Sequence, residues 1–367
     1  MPPQMQLPTR KLGRYGPDVS APGYGTMGLS VFYGPPPPDE QRFEVLDYVY
    51  QTGCTFWDSS DLYGDSEELI GKWFARTGVR NEIFLATKFA RTDEFAEDDD
   101  GQCIKDACNR SLQRLGIKTI DLYYLHRIER YMPIEKAVAA LADLQREGKI
   151  RYLGLSDCSA AALRAACQIH HIAAAQVEYS PYKLDIEKNG FLQTARELGV
   201  AIIAYSPLGR GLLGGQIRSR EDLSTDDLRR TLTRFGPEKF RKNLKLYEVL
   251  SALGEQKGCH ASTLVLAWLM AQGSDIIPIP GTTKTRNVQL NEQSVMLQLD
   301  PDEIKKIRYE IENAELVGQD LPDGHTGSIM GQNELRQGDY LISADPLVTC
   351  EGLYDLMILE DTADAIP

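Results

Sequence analysis

The chain has 367 residues, with 53 acidic and 40 basic side chains and a formal net charge of −13. Lys and Arg form no clustered block, so we expect neither nucleic acid nor an anionic membrane as a partner. No apolar run is long enough to cross a bilayer, and the first residues, MPPQMQLPTRKLG, lack the apolar core of a signal peptide. These features predict a soluble cytoplasmic protein.

Cysteine and histidine residues show no spacing typical of a structural site. The seven cysteines, at positions 54, 103, 108, 158, 167, 259 and 350, are odd in number and include no C-x-x-C pair. The five histidines include no H-E-x-x-H or similar ligand spacing. We therefore expect reduced, mostly buried thiols and no catalytic metal.

In chain order, TRKLGRYGPDVSAP (9–22) predicts two short strands around a Gly-Pro-Asp turn, a hairpin lid. Eight short apolar, β-branched or aromatic runs follow and alternate with longer amphipathic segments. Because this alternation is typical of parallel strands with helices outside, it predicts an α/β fold, a closed (β/α)8 TIM barrel. The runs are PGYGTM (22–27), CTFWDS (54–59), IFLATK (83–88), DLYYLH (121–126), YLGLSD (152–157), AAQVEYS (174–180), AIIAYSP (201–207) and IIPIPG (276–281).

Several helices have recognisable ends. Residues 39–53 carry apolar side chains at three-and-four spacing, with Gly53 as the stop signal. Ser66, followed by two acids, predicts a hydroxyl cap and a helix start. The DPDE sequence places Asp300 as a cap and Glu303 three residues later, which predicts an extra helix after the last barrel unit.

Two segments depart from the repeat. The connection 207–240, which begins SPLGRGLLGG, is long enough to be a candidate active-site loop. Periodicity fades after residue 312, and residues 314–367 hold eleven acids against one base, Arg336. We expect an acidic tail that is packed in part through LYDLMIL (353–359) and otherwise mobile.

Two glycine-rich hexamers match the G-x-G-x-x-G pattern of doubly wound dinucleotide folds: GYGTMG (23–28) and GRGLLG (209–214). In that fold the third glycine opens a helix whose amino end holds the pyrophosphate. The prolines at 35–38 prevent such a helix after the first hexamer, and no short βαβ unit follows the second. Neither match therefore indicates a doubly wound fold.

Catalytic groups of a barrel lie at the carboxyl ends of its strands. Asp58 is the ionisable residue near the end of the second run, Tyr63 follows five residues later, Lys88 ends the third run and His126 ends the fourth. A tyrosine hydroxyl with its usual pKa of about 10 exchanges protons poorly at neutral pH, but a neighbouring ammonium favours the phenolate. The carboxylate can hold the lysine, and the histidine can donate to a carbonyl oxygen.

Each of these residues also has a plain structural alternative. Asp58 could cap a turn, Lys88 could lie on the surface, His126 could be a core histidine, and Tyr63 could serve packing. Their joint position at one rim favours chemistry instead. The set is suited to protonating an oxygen while a hydride arrives at carbon.

The stretches FWDSSDLYGDSEELIG, IFLATK and DLYYLH resemble the aldo-keto reductase family, and the resemblance covers about residues 8–312. It implies a (β/α)8 barrel over 8–312, followed by an acidic C-terminal extension over 313–367. It further implies that Tyr63 is the general acid, that Lys88 and Asp58 tune it, and that His126 orients the carbonyl.

The resemblance also implies NADPH as cofactor, extended across the rim with its phosphates near the loops after strands seven and eight. It implies Tyr205 as the residue on which the nicotinamide stacks and Asn291 at the adenine. Beside the nicotinamide the resemblance implies Gly25, Thr26, Met27 and Asp58, and at its carboxamide Ser156, Asp157 and Gln176. Along the pyrophosphate it implies Ser206, Pro207, Leu208 and Arg210. Around the 2′-phosphate it implies Gly281, Thr282, Lys284 and Arg286.

The cofactor residues match the family less completely than the tetrad does. Lys284 and Arg286 concentrate positive charge in one loop, which favours NADPH over NADH. Three positions depart from the pattern of many members: Asp157 replaces Asn, Leu290 replaces Glu, and Asn287 stands where an arginine usually contacts the 2′-phosphate. Asp157 can accept from the carboxamide NH2 but cannot donate to its carbonyl.

The leading functional hypothesis is an NADPH-dependent reductase of an aldehyde or ketone. The alternative is a nucleotide-sensing regulatory barrel similar to channel-associated β subunits, which would retain the tetrad. The first barrel strand is predicted to begin by residue 22, which leaves no long regulatory segment before it and favours the enzyme.

The GLSDCSAAALR and EYSPY stretches are similar to the fungal and plant pyridoxal-reductase-like branch, so pyridoxal is one candidate substrate. Rim aromatics suggest a small-molecule aldehyde or ketone of apolar or aromatic character: Tyr24, Phe32, Tyr33, Trp57 and Phe89.

Overall fold

The computed structural model describes residues 6–89, 101–126 and 132–318. Its main sheet has eight strands, each paired in parallel with its neighbour in chain order, so the predicted strand alternation is confirmed. An antiparallel hairpin precedes this sheet. The hairpin strands are β1 (Thr9–Lys11) and β2 (Asp18–Ser20), and the sheet strands are β3 (Tyr24–Gly25), β4 (Phe56–Asp58), β5 (Phe84–Phe89), β6 (Ile120–His126), β7 (Ile150–Ser156), β8 (Ala174–Glu178), β9 (Ala201–Tyr205) and β10 (Ile276–Pro278).

At least one helix separates each consecutive pair of sheet strands, as a (β/α)8 barrel requires. Two further helices follow β10, and the second is the extra helix predicted from the sequence. The helices are α1 (Asp39–Gln51), α2 (Ser66–Thr77), α3 (Gln102–Leu115), α4 (Ile134–Arg146), α5 (Ala160–Ile169), α6 (Asp185–Lys188), α7 (Phe191–Leu198), α8 (Pro237–Gln256), α9 (Ala261–Met270), α10 (Thr285–Glu292) and α11 (Pro301–Glu312). None of those in the described ranges is long and apolar enough to cross a membrane.

Glycines bring the first and last strands of the sheet together. The Gly23 N–H donates to the carbonyl of Pro278 at 2.9 Å. A Cβ at Gly25 would lie 2.9 Å from the Ile279 oxygen, and a Cβ at Gly281 would lie 2.6 Å from the Gly25 oxygen. Only glycine allows backbones to approach so closely. Gly23 and Gly25 of GYGTMG therefore sit at the seam of the barrel, and α1 begins only at residue 39, as the prolines predict.

Strand alternation divides the apolar side chains into two cores. In β4, Phe56 belongs to the cluster inside the barrel, whereas Trp57 belongs to the larger cluster between sheet and helices. The predicted hairpin is present, and its Leu12 and Val19 join the inner cluster. Arg10 donates to the Ile276 carbonyl at the start of β10, so the hairpin covers the amino end of the barrel, opposite the expected rim. It is therefore not a lid over that rim.

The helix ends follow the predictions except at Ser66. Asp300 accepts hydrogen bonds from the N–H of residue 302 and of Glu303, and Glu303 accepts from the Asp300 N–H, so the predicted capping box is confirmed. Ser66, by contrast, is the first residue of α2 and not its cap. Its buried hydroxyl pairs with those of Thr26 and Ser59 at 2.8 and 2.9 Å. These hydroxyls link α2 to the ends of β3 and β4.

The connection between β9 and α8, residues 206–236, will be called the long loop. It contains short 3₁₀ turns at Gly209–Gly214, Arg220–Asp222, Leu228–Thr231 and Thr233–Phe235. After α11 the chain is described as far as residue 318, so the LYDLMIL segment and most of the acidic extension lie outside the described residues.

Candidate active site

A fully buried lysine organises the carboxyl end of the barrel. Lys88 donates hydrogen bonds to Asp58 Oδ1 at 2.5 Å and to the Ser59 carbonyl at 2.7 Å, and its Nζ lies 3.3 Å from the Tyr63 hydroxyl. Gln176 Nε2 donates to the other carboxylate oxygen of Asp58 at 2.7 Å. Three of the four predicted catalytic residues thus form one hydrogen-bonded group.

Strand register explains how these residues meet. Asp58 pairs with Ala86 across β4 and β5, and Lys88, two residues beyond Ala86, points to the same side of the sheet. Tyr63 lies in the turn before α2, where its N–H donates to the Ser60 carbonyl. Its side chain is half-buried, so the hydroxyl is within reach of both Lys88 and the mouth of the barrel.

Burial and charge oppose each other in the Asp58–Lys88 pair. Burial raises the pKa of Asp58, while the charge and hydrogen bond of Lys88 act in the opposite direction. Burial lowers the pKa of Lys88, but the charges of Asp58 and Tyr63 outweigh it, so the pKa is raised. The ammonium form is therefore favoured, and it can stabilise a phenolate on Tyr63.

His126 ends β6 and is half-buried at the same rim. It pairs in register with Ser156, which pairs in turn with Gln176 on the next strand. Asp58, Lys88, His126, Ser156 and Gln176 thus lie at or near the carboxyl ends of β4, β5, β6, β7 and β8, along one rim of the barrel. Together with Tyr63, these residues can hold a carbonyl oxygen, deliver a proton to it and bind an amide beside it.

Two of the residues expected at the carboxamide, Ser156 and Gln176, have hydrogen-bonding capacity of the right kind. The Ser156 hydroxyl is buried and has no hydrogen-bond partner among the described residues. Gln176 commits its amide NH2 to Asp58, which leaves its side-chain oxygen as an acceptor. Asp157 receives a hydrogen bond from the Tyr205 hydroxyl at 3.2 Å. A carboxamide, with both donors and an acceptor, fits this set.

The non-glycine residues with left-handed backbone are concentrated at the predicted site. Four non-glycine residues of the described chain have positive φ: Phe32 (74°), Asp157 (48°), Ser206 (49°) and Arg210 (55°). This conformation is uncommon outside glycine and clusters at ligand sites. All four were singled out from the sequence as substrate or cofactor residues.

The loops after β9 and β10 contact each other. Lys284 Nζ donates to Gln216 Oε1 at 3.1 Å, and Gln216 Nε2 donates to Asn287 Oδ1 at 2.8 Å. Asn287 Nδ2 in turn donates to the Thr282 hydroxyl at 3.1 Å. Lys284 and Arg286 are exposed, and neither forms an ion pair within the described ranges. Their charge is thus available to an anionic group in this loop.

The other implied cofactor residues differ in accessibility. The Thr26 side chain is fully buried and its hydroxyl contacts the Asp58 carbonyl at 3.0 Å, so it holds the strand ends together. Asn291 is buried near the end of α10, and the Leu290 carbonyl accepts from Thr263 at 2.7 Å. Met27, Ser206 and Arg210 are half-buried, whereas Gly281 is exposed. Pro207 is buried, and Gly25 and Leu208 are half-buried along the same rim.

Three of the five predicted pocket aromatics are structural. Trp57 and Phe89 are fully buried in the outer core, because they neighbour the inward-pointing Asp58 and Lys88 and alternation directs them towards the helices. Trp57 donates to the Cys54 carbonyl, and its ring lies 4.7 Å from that of Trp73.

Tyr24 is also buried, and its hydroxyl donates to the Thr282 carbonyl at 2.5 Å. Phe32 and Tyr33 remain half-exposed beneath the long loop. The Leu228 N–H donates to the Phe32 carbonyl at 2.9 Å, and the Arg229 guanidinium lies 4.2 Å from the Tyr33 ring centroid. These two aromatics are the ones that can border a pocket.

Sequence reasoning missed a second buried ion pair at this end of the barrel. Arg234 of the long loop reaches Glu178 at the end of β8, with 3.2 Å between Nη1 and Oε1, and both side chains are buried. Glu178 lies two residues beyond Gln176, so alternation would have placed it on the same face. No sequence signal marked Arg234 as its partner.

Comparisons with known proteins show the family to which the chain belongs. The sequence profile of the Aldo/keto reductase family matches residues 23–311. Aldo-keto reductase str7 from Strobilurus tenacellus is 49% identical over 321 residues, which cover 86% of this chain and 95% of that protein. Aldo-keto reductase yakc from Schizosaccharomyces pombe, whose name includes NADP(+), is 44% identical over 329 residues, which cover 87% and 96%.

Solved structures show the same architecture. Glycerol dehydrogenase AKR11B4 from Gluconobacter oxydans superposes with a TM-score of 0.73 at 25% identity, covering 85% of this chain and 97% of that one. A thermostable aldo-keto reductase in complex with the inhibitor epalrestat gives a TM-score of 0.68 at 27% identity, covering 83% and 100%. The chain therefore belongs to the aldo-keto reductase family, whose members are oxidoreductases that act on carbonyl groups.

Proposed function

We propose that this protein is an NADPH-dependent reductase of an aldehyde or ketone. The observation that carries the proposal is the position of Lys88 Nζ, which lies 2.5 Å from Asp58 and 3.3 Å from the Tyr63 hydroxyl. When bound, NADPH would supply the hydride that reaches the carbonyl carbon.

In the proposed reaction, Tyr63 donates its proton to the carbonyl oxygen as the hydride arrives at carbon, which completes the alcohol. Lys88 stabilises the resulting phenolate, and Asp58 keeps the ammonium charged in a dry site. His126 donates to the same oxygen and orients it. The phenolate then regains a proton from solvent through the open side of the half-buried Tyr63.

The residues present fit the proposed cofactor. The unpartnered hydroxyl of Ser156, the oxygen of Gln176 and the carboxylate of Asp157 would hold the carboxamide. Tyr205 would lie against the nicotinamide, and Ser206 to Arg210 would line the pyrophosphate. Lys284 and Arg286 would hold the 2′-phosphate, and the NADP(+) in the name of the S. pombe relative supports this choice. In place of an arginine charge, Asn287 accepts a hydrogen bond from Gln216 and donates one to the Thr282 hydroxyl.

The proposed substrate is a small aldehyde or ketone with an apolar or aromatic body. Phe32 and Tyr33 support this choice, because their half-exposed rings lie under the long loop beside the catalytic rim. Pyridoxal is one member of this class.

The test is the loss of NADPH absorbance with a panel of aromatic and aliphatic aldehydes and pyridoxal, with wild type beside Tyr63→Phe. We expect turnover by wild type, a fall of at least about a hundredfold in the variant, and unchanged NADPH binding. Equal turnover by the variant would exclude Tyr63 as the acid. NADPH binding without turnover of any carbonyl would instead favour a nucleotide-sensing role.

A further inference from the structure

The chain that follows α11 returns to the catalytic rim and is held there by one side chain. Asn243, a fully buried residue of α8, accepts a hydrogen bond from the Val317 N–H at 3.1 Å. Its Nδ2 donates to the Val317 carbonyl at 2.9 Å. One side-chain amide thus satisfies both backbone groups of one residue, as a neighbouring β-strand would.

The same amide holds the long loop. Asn243 Nδ2 also donates to the Arg234 carbonyl at 3.0 Å, so its two N–H groups are divided between the loop and the 314–318 segment. The backbone carbonyl of Asn243 accepts a hydrogen bond from the Tyr182 hydroxyl at 2.7 Å. Because the amide is buried, any polar group left unpaired there carries a desolvation cost.

Gly318 shows that the segment lies directly on the loop. Its φ is +98°, and a Cβ at this position would lie 2.9 Å from the Arg234 nitrogen and 3.0 Å from the Arg234 Cα. Both the left-handed backbone and the close approach require glycine. This contact is independent of the Asn243 hydrogen bonds and involves the same loop residue.

Arg234 links this region to the barrel mouth. Its side chain is 3% exposed, pairs with Glu178 and lies 5.2 Å from the Tyr182 ring centroid. The Tyr182 ring also packs on the long loop near its start, since a Cβ at Gly209 would lie 2.4 Å from that ring.

The loop extends from this anchor across the site. Arg229 Nη1 donates to the Arg210 carbonyl at 3.1 Å, and the Leu228 N–H donates to the Phe32 carbonyl at 2.9 Å. The long loop therefore contains the proposed pyrophosphate residue Arg210 and contacts a proposed substrate residue and the end of β8.

We propose that Asn243 and residues 314–318 form a clamp that positions the long loop over the active site, so that the start of the C-terminal extension contributes to cofactor retention. The cofactor part rests on the proposed NADPH site. The positioning of the long loop does not rest on that site, because the contacts that hold the loop join residues of the protein and involve no cofactor. Asn243 and Gly318 are positioning residues and touch no proposed reacting atom.

The test uses three variants of the full chain. Val317→Pro removes the N–H that donates a hydrogen bond to Asn243. Gly318→Ala introduces a Cβ that would clash with the backbone of Arg234. Val317→Ala keeps both backbone hydrogen bonds and is the matched control. The readouts are the dissociation constant for NADPH and the hydrogen exchange of the long-loop amides without cofactor, including those of Arg230 and Phe235.

For Val317→Pro and Gly318→Ala we expect faster exchange over 228–236 and a dissociation constant roughly tenfold higher, the factor expected from one lost buried hydrogen bond. Exchange in β6 should not change, and Val317→Ala should resemble wild type in both measurements. Unchanged loop exchange in both clamp variants would overturn the proposal. Faster exchange with unaltered NADPH binding would overturn the cofactor part.

If wild type itself binds no NADPH, the proposed function fails, and the exchange data then decide the clamp alone. Asn243→Leu provides a further variant that removes every side-chain hydrogen bond of the clamp. We expect at least the same increase in loop exchange, and no increase would also contradict the clamp.

Discussion

Lys88 donates a 2.5 Å hydrogen bond to Asp58, and both side chains are buried inside the barrel. Each charge depends on the other, because neither is compensated by water. Removing one partner should leave an uncompensated buried charge, whereas removing both should not.

We therefore expect Asp58→Asn to lower the free energy of unfolding by about 3–5 kcal/mol. The double variant Asp58→Asn, Lys88→Met should recover most of this loss without recovering turnover. Chemical denaturation of the four proteins of the cycle provides the measurement. An unchanged free energy of unfolding in Asp58→Asn would show that the buried Lys88 charge does not depend on Asp58 for its compensation.

Glu292 predicts a pH dependence of stability. Burial raises the pKa of this carboxyl from its usual 4.5 to about 7, although Thr52 donates a hydrogen bond to it at 2.5 Å. Because the folded pKa lies above the unfolded one, the favourable contribution is complete below pH 4.5 and is lost as pH rises through 7.

Glu292→Gln keeps an acceptor for Thr52 and removes the titration. We expect the variant to be more stable than wild type by up to about 3 kcal/mol at pH 8, with a much smaller difference at pH 4.5. Denaturation at both pH values measures the difference. If the difference in the free energy of unfolding between the variant and wild type did not vary with pH, the pKa of Glu292 would not be raised in the folded protein.

The barrel seam predicts a specific glycine effect. A Cβ at Gly25 would lie 2.9 Å from the Ile279 oxygen, whereas a Cβ at Gly214 would meet no atom within 4 Å. Gly25→Ala should therefore lower the free energy of unfolding by about 1–3 kcal/mol, and Gly214→Ala should leave it nearly unchanged. Thermal denaturation compares the two, and equal effects would contradict a close seam.

The two classes of predicted pocket aromatics should separate by experiment. Trp57→Ala should lower stability by about 3–5 kcal/mol, because it empties the outer core. Tyr33→Ala should leave stability nearly unchanged and raise KM for aromatic aldehydes more than for short aliphatic ones. Unfolding and steady-state kinetics on the same samples provide the measurement. Loss of stability in Tyr33→Ala would place it with the core residues.

The exposed cations after β10 should set the nucleotide preference. Lys284→Met and Arg286→Met should each reduce kcat/KM for NADPH by about tenfold or more and leave the value for NADH nearly unchanged. Lys305→Met, in the exposed face of α11, serves as the charge-matched control. An equal reduction with both nucleotides would argue against a 2′-phosphate contact.

The sequence determined those features that depend on local order. Alternating runs predicted the strands, and the capping box at Asp300 predicted α11. Asp58, Lys88 and His126 could be placed at one rim because parallel strands connected by helices all end on the same side of a barrel. Tyr63 followed from its short distance along the chain to Asp58.

Side-chain direction and contacts between irregular segments required the tertiary structure. Trp57 and Phe89 were predicted to line a pocket, but both pack in the outer core, on the opposite face of their strands from Asp58 and Lys88. Arg234 is 56 residues from Glu178 along the chain, and Asn243 is 74 residues from Val317. One partner of each pair lies in a loop or in the segment after α11, where the sequence has no repeating pattern, so only the packing of the folded barrel brings the two together.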